Sequence, residues 1–348
     1  MNILRWIADE SVLHHFVAGL TTPILLLLVI ACILVLSKGA DWMVEGVVDL
    51  AQRTGMSKIA IGATIVSLGT TTPEAFVSVM AAFMGNPGLA LGNGVGSIIA
   101  DTGLIFGLTC ILARVPLNRF ILSRTGWVQV GAATLLVIIA VASWVMSNGA
   151  PVLGRTVGIS LLILLGIYLY ATFLWSRQAS TLFPDQHEEE RELRSLPLCW
   201  FMLLGGLFMV VVGARVLVPG ASEVALRFGV PEDVIAATMV AFGTSLPELI
   251  TAMVAIRKGY PEITVGNVVG ADVLNCLFVI GAAATAQPLA VPPTFFYFHF
   301  PAMLIILWSF RLFITINKDG NFKRYQGFWL LGVYLAYVAL QFTLNTNA

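Results

Sequence analysis

The sequence predicts an all-α polytopic membrane protein with ten transmembrane helices arranged as two inverted five-helix repeats. Three observations carry that prediction. Apolar residues come in blocks of about twenty or more, the length that crosses a hydrocarbon core. The chain repeats its own pattern at one fixed offset. The repeated unit holds five apolar blocks, which is an odd number.

Composition sets the class. The 348 residues are 58% hydrophobic and 11% charged, with a mean hydropathy of +0.90. Soluble domains carry about a quarter charged residues. A transmembrane barrel would show short alternating strands instead of long blocks. Net charge is zero, so no nucleic-acid footprint is present. Cys32, Cys110, Cys199 and Cys276 are scattered through apolar segments and read as small core residues. The opening "MNILRWIADESVLHHF" carries acids and histidines without a long apolar run. It reads as a short interfacial helix, not a cleaved signal.

The spans fall at about 21–50, 58–84, 88–112, 127–147, 153–176, 197–226, 232–257, 263–286, 294–314 and 325–344. Between the fifth and sixth lies "RQASTLFPDQHEEERELRS", the long polar loop of the chain. The predicted organisation is therefore an N-terminal interfacial segment (1–20), a first repeat (21–176), a cytoplasmic loop (177–196) and a second repeat (197–348). Placing both termini outside puts 14 lysines and arginines in cytoplasmic loops and 3 outside. The positive-inside rule favours that orientation. An inner-membrane location is expected.

Sliding the chain by 174 residues aligns Gly69-Thr70 with Gly243-Thr244 and Pro73-Glu74 with Pro247-Glu248. Gly92-Asn93 lands on Gly266-Asn267 in the same ungapped register. Over 61–107, 16 of 47 pairs are identical. Shared membrane composition explains repeated leucines and glycines, but not repeated Pro-Glu and Gly-Asn pairs. With five spans per copy, the second copy enters the membrane from the opposite face. Inverted repeats place a transporter's substrate site near midplane, where the copies meet.

The paired motifs supply oxygen. Glu74 and Glu248 lie mid-span, as do Asp101 and its mate Asn275. A carboxylate at bilayer centre costs at least ~2.5–3.5 kcal/mol on insertion scales. No Lys or Arg lies mid-span in these four helices, so a bound cation is the simplest partner. Pro73 and Pro247 lack an N–H and free the carbonyls of Gly69 and Gly243, with a kink expected. Carbonyls near Ser67 and Ala241 are expected to tilt inward with them. Thr70, Thr71, Thr244 and Ser245 add hydroxyls about one turn before each glutamate. Thr70–Glu74, Thr244–Glu248 and Ser97–Asp101 have i, i+4 spacing, which puts each pair on one helix face. An all-oxygen donor set suits hard cations such as Ca2+ and Na+.

A blander role competes at several positions. Buried Ser and Thr often bond back to the i−4 carbonyl. Gly92, Gly96, Gly266 and Gly270 read mainly as close-packing positions. Asn93 and Asn267 read as bridges between helices. Asp41 and Arg215 are repeat mates of opposite sign, and a salt link between them competes with plain solvation.

With "GTTTPE…GNGVGSIIAD" and "GTSLPE…GNVVGADVLN" in view, the chain resembles the cation/calcium exchanger superfamily, and within it prokaryotic sodium/calcium exchangers. The resemblance covers nearly the whole chain. It implies the sodium/calcium exchanger fold, with one Ca2+ site and up to three Na+ sites. By resemblance Glu74 and Glu248 ligate Ca2+, with Thr70 and Thr244 beside them. Thr71, Ser245 and Ser97 match sodium-site hydroxyls, and Asp101 and Asn275 hold the paired central positions. Two departures stand out. The family's archaeal pattern has Asn in the first copy and Asp in the second, and here they are exchanged. Ala271 replaces the serine that would match Ser97, so one sodium site loses an oxygen.

The expected activity is secondary active antiport of Ca2+ against Na+ by alternating access. A proton-driven or potassium-dependent exchanger on the same scaffold is the alternative. A channel would pass ions without a counter-ion gradient. Neither HExxH nor a facing Ser–His pair supports an enzyme. The expected partners are Ca2+ and Na+ as substrates and the lipid bilayer. No cofactor, nucleic acid or obligatory protein partner is expected. The first and sixth spans are expected to form a sliding gate.

Overall fold

A computed structural model describes residues 10–54, 56–117, 119–147, 149–182, 194–228, 245–317 and 319–345. These residues form an almost wholly helical protein. A short helix α1 (Glu10–Ala18) precedes α2 (Thr22–Thr54), α3 (Lys58–Phe83), α4 (Pro87–Leu112), α5 (Arg119–Met146) and α6 (Arg155–Leu182). The second half holds α7 (Leu196–Arg227), α8 (Leu246–Arg257), α9 (Pro261–Ala286), α10 (Phe295–Ile316) and α11 (Arg324–Asn345). Eight of the described helices are long and apolar enough to cross a membrane. Of the predicted span 232–257, the described part is α8. The helix α11 has 22 residues, enough length to span.

Most ends match the predicted spans within a few residues. The clear exception is α5, which starts at Arg119 and not near residue 127. Its first turns are held by polar contacts that hydropathy does not register. Arg119 donates to the Asn317 carbonyl, and Arg124 donates to the Phe120 carbonyl at 2.8 Å. The Arg124 guanidinium also stacks over the Phe120 ring, 3.8 Å from its centroid.

The two halves are related by a pseudo-two-fold axis, and glycine contacts reveal it. Gly39 of α2 lies against Gly206 and Val210 of α7; its repeat mate Gly213 lies against Leu36 and Cys32. Gly46 meets Cys199 and Leu203; its mate Gly220 meets Leu25 and Val29. Each second set is the first, shifted by the repeat offset. Numbers rise along α2 as they fall along α7, so these equivalent helices are antiparallel. Two antiparallel mates need an axis across them, in the membrane plane. That is the inverted repeat.

The symmetry extends outward. Gly107 of α4 packs on Gly327, Leu330 and Leu331 of α11, while its mate Gly281 of α9 packs on Gly158, Leu161 and Leu162 of α6. A two-stranded pairing of β1 (Val152–Leu153) with β2 (Leu289–Ala290) is mirrored by a single bridge between Pro116 and Asn321. These backbone clasps tie each half's last helix to the other half.

The apolar core has two parts. The larger is built mainly from α4, α5, α9, α10 and α11, with the Phe106 ring edge-on to the stacked pair Phe310 and Phe322. The smaller lies between α2 and α7 and the edges of α3, α8 and α9. The outer faces of α2 and α7 expose Leu27, Leu34, Phe201 and Phe208, as lipid contact requires.

Candidate functional site

The site lies where α3, α4, α8 and α9 cross. Each of the three long helices is broken near it by a π-helical turn: Gly62–Val66 in α3, Asp101–Phe106 in α4 and Asn275–Val279 in α9. A π turn holds an extra residue, so it re-aims the side chains beyond it, and such turns gather at functional sites. The second and third begin at Asp101 and Asn275, the paired central positions. The inverted halves thus open the same turn at the same place.

The two Pro-Glu motifs are used differently. Pro73 sits inside the stretch Ser67–Phe83, which is helical throughout. The irregularity expected at this proline lies one turn before the threonines instead, in the Gly62–Val66 π turn. Pro247 sits in the first turn of α8, where a missing N–H costs nothing. Glu248 follows in the same turn, at the positive end of that helix. Gly243, Thr244 and Ala241 lie outside the described residues, so the expectations for them stand as made.

Nine predicted residues are described. Glu74, Glu248, Asp101 and Asn275 are each 1% exposed. Ser67, Thr70 and Thr71 are fully buried, and Ser97 and Ser245 nearly so. The structure brings groups from both copies together. Glu74, Glu248 and Asp101 lie within electrostatic reach of one another. The Thr70 hydroxyl faces Glu248, and the Ser245 hydroxyl faces Asp101, each across the repeat boundary.

The hydroxyls divide by what they already bond. Thr72 donates to the Leu68 carbonyl at 2.6 Å and Thr251 to the Pro247 carbonyl at 2.7 Å, the ordinary back-bond. Ser67 and Thr70 bond carbonyls three residues back, at 3.3 Å each. The Thr71 hydroxyl is buried with no hydrogen-bond partner. One oxygen each of Glu74, Glu248, Asp101 and Asn275 shares that condition. These orphans are almost all pure acceptors. A buried acceptor without a donor costs about 1–3 kcal/mol, more when charged. A positive ion satisfies several at once. Among the described residues no three of His, Cys, Asp and Glu converge tightly enough to hold a metal by themselves. A coordination shell here needs hydroxyl, amide and carbonyl oxygens beside the carboxylates.

The asparagines bridge, as expected. Asn93 donates to the Glu74 carbonyl at 3.0 Å and to the Ser78 hydroxyl at 2.9 Å, pinning α4 to α3. Asn267 accepts from Thr70 at 3.4 Å, pinning α9 to α3 across the repeats. Gly266 and Gly270 let α9 lie on α3: a Cβ on Gly270 would meet the Ala63 carbonyl and the Ser67 hydroxyl at 2.5 Å. The corresponding partners of Gly92 and Gly96 fall at 233–241, outside the described residues.

Asp41 does not pair with Arg215, nor is it merely solvated. It bridges Arg257 at 2.7 Å and Lys258 at 3.6 Å, at the end of α8. Lys258 also holds Glu45 at 2.7 Å, and Arg194 holds Glu45 at 2.8 Å and Asp49 at 3.2 Å. Asp41 lies on the side of α2 that meets the end of α8, within reach of its basic residues. The Arg215 charge instead reaches Glu74.

One core carboxylate was not foreseen. Asp272 of α9 is 1% exposed and accepts hydrogen bonds from Thr102 of α4 and Gln129 of α5, the latter at 2.5 Å. A mid-span charge is itself a signal. Its repeat mate is Ile98, so the symmetry comparison gave it no partner.

Inverted repeats meeting at a buried, oxygen-lined acidic core are the architecture of a membrane cation transporter. Comparison with known proteins makes the class specific. The model of the sodium/calcium exchanger protein family matches residues 24–174 and again 198–343, so the chain belongs to that family, and each half matches it separately. The inner membrane protein YrbG of Escherichia coli is 31% identical over 91% of this chain and 97% of its own length. The sodium/calcium exchanger MaX1 of Methanosarcina acetivorans is 29% identical over 88% of this chain and 95% of its own. The solved structure of the sodium-calcium exchanger NCX_Mj soaked with Na+ and Sr2+ superposes with a TM-score of 0.77 at 27% identity, covering 92% of this chain and 99% of that one. The protein is thus an integral membrane cation/calcium exchange antiporter and not an enzyme.

Proposed function

We propose that this chain exchanges Ca2+ for Na+ by alternating access at the midplane cluster of Glu74, Glu248, Asp101 and Asn275. The hydroxyls of Thr70, Thr71, Thr244, Ser245 and Ser97 and the carbonyls near Ser67 and Ala241 complete the set. The observation that carries this reading is the group of orphaned acceptor oxygens contributed by both copies. Ca2+ and Na+ use the same oxygens and so cannot bind together, and that exclusion couples their transport. MaX1 and NCX_Mj, both named as sodium/calcium exchangers, support the pair of ions.

The inner membrane is the proposed location, by likeness to YrbG. Both termini are placed outside by the charge distribution, with 177–196 facing the cytoplasm between repeats 21–176 and 197–348. The segment 1–20 is proposed to lie at the interface. A proton-driven reading is favoured by one observation: Ala271 is fully buried and brings a methyl where its mate Ser97 brings a hydroxyl.

Glu74→Gln and Glu248→Gln test the site. Removing one partner of a buried charge pair costs about 3–5 kcal/mol. At ~1.4 kcal/mol per tenfold, each variant loses Ca2+ affinity by roughly two orders of magnitude or more. Exchange measured in proteoliposomes should fall accordingly. Normal Ca2+ exchange by either variant would remove these residues from the site.

A further inference from the structure

The charge balance of the four-residue cluster leaves out one carboxylate of the core. Glu74, Glu248 and Asp101 are balanced by three Na+, or by Ca2+ plus one further positive charge. Asp272 adds a fourth carboxylate to the same core, close enough to Asp101 for their charges to act on each other. It belongs to a different set of side chains. Thr102 and Gln129 both donate to its Oδ2, and Gln129 also donates to the Thr102 hydroxyl at 3.3 Å. The opposite atoms are left over. Asp272 Oδ1 and Gln129 Oε1 are both buried and both without a hydrogen-bond partner. Gln129 and Asp272 are each 1% exposed, and Thr102 is fully buried.

The local geometry explains why these side chains meet. Asp272 is one residue beyond Ala271, so it leaves α9 about 100° around the helix from the position that lost its hydroxyl. It points across α4 towards α5. Thr102 lies in the second position of the Asp101–Phe106 π turn. Three elements therefore bring a carboxylate, an amide and a hydroxyl together around Asp272 Oδ2. Donors point inward only at Oδ2. Oδ1 and Oε1 are each left as a buried acceptor that a positive group would satisfy, and a single charge balances Asp272.

We propose that Asp272, Gln129 and Thr102 form an additional site for a monovalent alkali cation, Na+ or K+, beside the Ca2+-exchanging cluster. One carboxylate among neutral oxygens suits a singly charged, hard ion and gives a divalent ion too little charge. The site lies on the side of α9 that faces α5. It rests on the cation-exchanger reading of the core, but not on the roles of Glu74 or Glu248.

The test uses full-length protein in nanodiscs carrying Glu74→Gln, Glu248→Gln and Asp101→Asn, which removes every carboxylate of the main cluster. Thermal unfolding is followed in choline, Na+ and K+ chlorides at one ionic strength. The expected result is a higher melting temperature in Na+ or K+ than in choline, with the more effective ion naming the occupant. Adding Asp272→Asn should abolish that shift. Thr102→Val and Gln129→Met keep the carboxylate and should each raise the half-saturating cation concentration about tenfold or more. They serve also if Asp272→Asn does not fold. An identical melting temperature in all three salts would overturn the site, as would a shift that survives Asp272→Asn or both milder variants. A carboxyl that holds only a proton gives the first of these. Failure of the exchange reading shows elsewhere, as Ca2+ transport that ignores Glu74→Gln.

Discussion

At the scale of single residues, the core is organised by unmet acceptors. Glu74, Glu248, Asp101, Asn275 and Thr71 each keep a buried oxygen without a donor, whereas Thr72 and Thr251 satisfy theirs on their own backbone. The neighbouring glycines hold this geometry by close approach. Gly270→Ala places a methyl against the Ala63 carbonyl and the Ser67 hydroxyl. Overpacking of this kind costs about 1–3 kcal/mol. A melting temperature several degrees lower and weakened exchange are expected. Gly332→Ala, where nothing lies within 4 Å, should change neither. Equal behaviour of the two variants would show that α9 does not need its close seat on α3. Glu74 and Glu248 were legible because an intramembrane carboxylate that recurs in register has few bland explanations. Asp272 was not, because its mate is Ile98 and its partners Thr102 and Gln129 come from other helices. Symmetry finds what is repeated and is blind to what one copy holds alone.

At the scale of elements, α2 and α7 are one body. Gly39, Gly46, Gly206 and Gly213 let their backbones touch along most of their length. Their attachment to α8 is different in kind. Asp41 and Glu45 of α2 hold Arg257 and Lys258 at the end of α8, and Arg194 ties Glu45 and Asp49 to the start of α7. Arg257 and Lys258 close α8 at the end proposed to face the cytoplasm. Of these pairs only Asp41–Arg257 has a well-exposed partner, and an exposed pair contributes only about 0.2–1 kcal/mol, as the proposed sliding of α2 requires. The repeat mates of Arg257 and Lys258 are Phe83 and Met84, so among the described residues this ionic clasp is not repeated at the end of α3. A thiol cross-linker joining Asp41→Cys to Arg257→Cys should therefore block exchange. A cross-link within the α2–α7 pair should leave most of it. Undiminished exchange with the first link would mean that α2 does not move past α8. Helix ends were mostly legible from hydropathy, apart from the arginine-held start of α5. The π turns at Asp101 and Asn275 were not. No residue pattern announces an extra residue in a helical ladder, and the expected proline kink drew attention to Pro73 instead.

For the whole molecule, pseudo-symmetry is the mechanism's frame. Two copies of one unit, inverted, can exchange conformations and so face the site to either side in turn. The reciprocal packing of Gly107 on α11 and of Gly281 on α6 shows that each half is clasped by the other's last helix. Those clasps leave the α2–α7 pair as the separate layer. This architecture was legible at one offset in the sequence, because the copies kept 16 of 47 residues through the motif region. Charge balance was legible only in part, since the fourth carboxylate appears once. The central claim is sodium-coupled exchange. Proteoliposomes loaded with Na+ and diluted into Na+-free buffer should take up radiolabelled Ca2+. Vesicles loaded with K+, or given only a pH gradient, should not. Uptake driven by the pH gradient alone, without Na+, would contradict it and make the protein a proton-coupled exchanger.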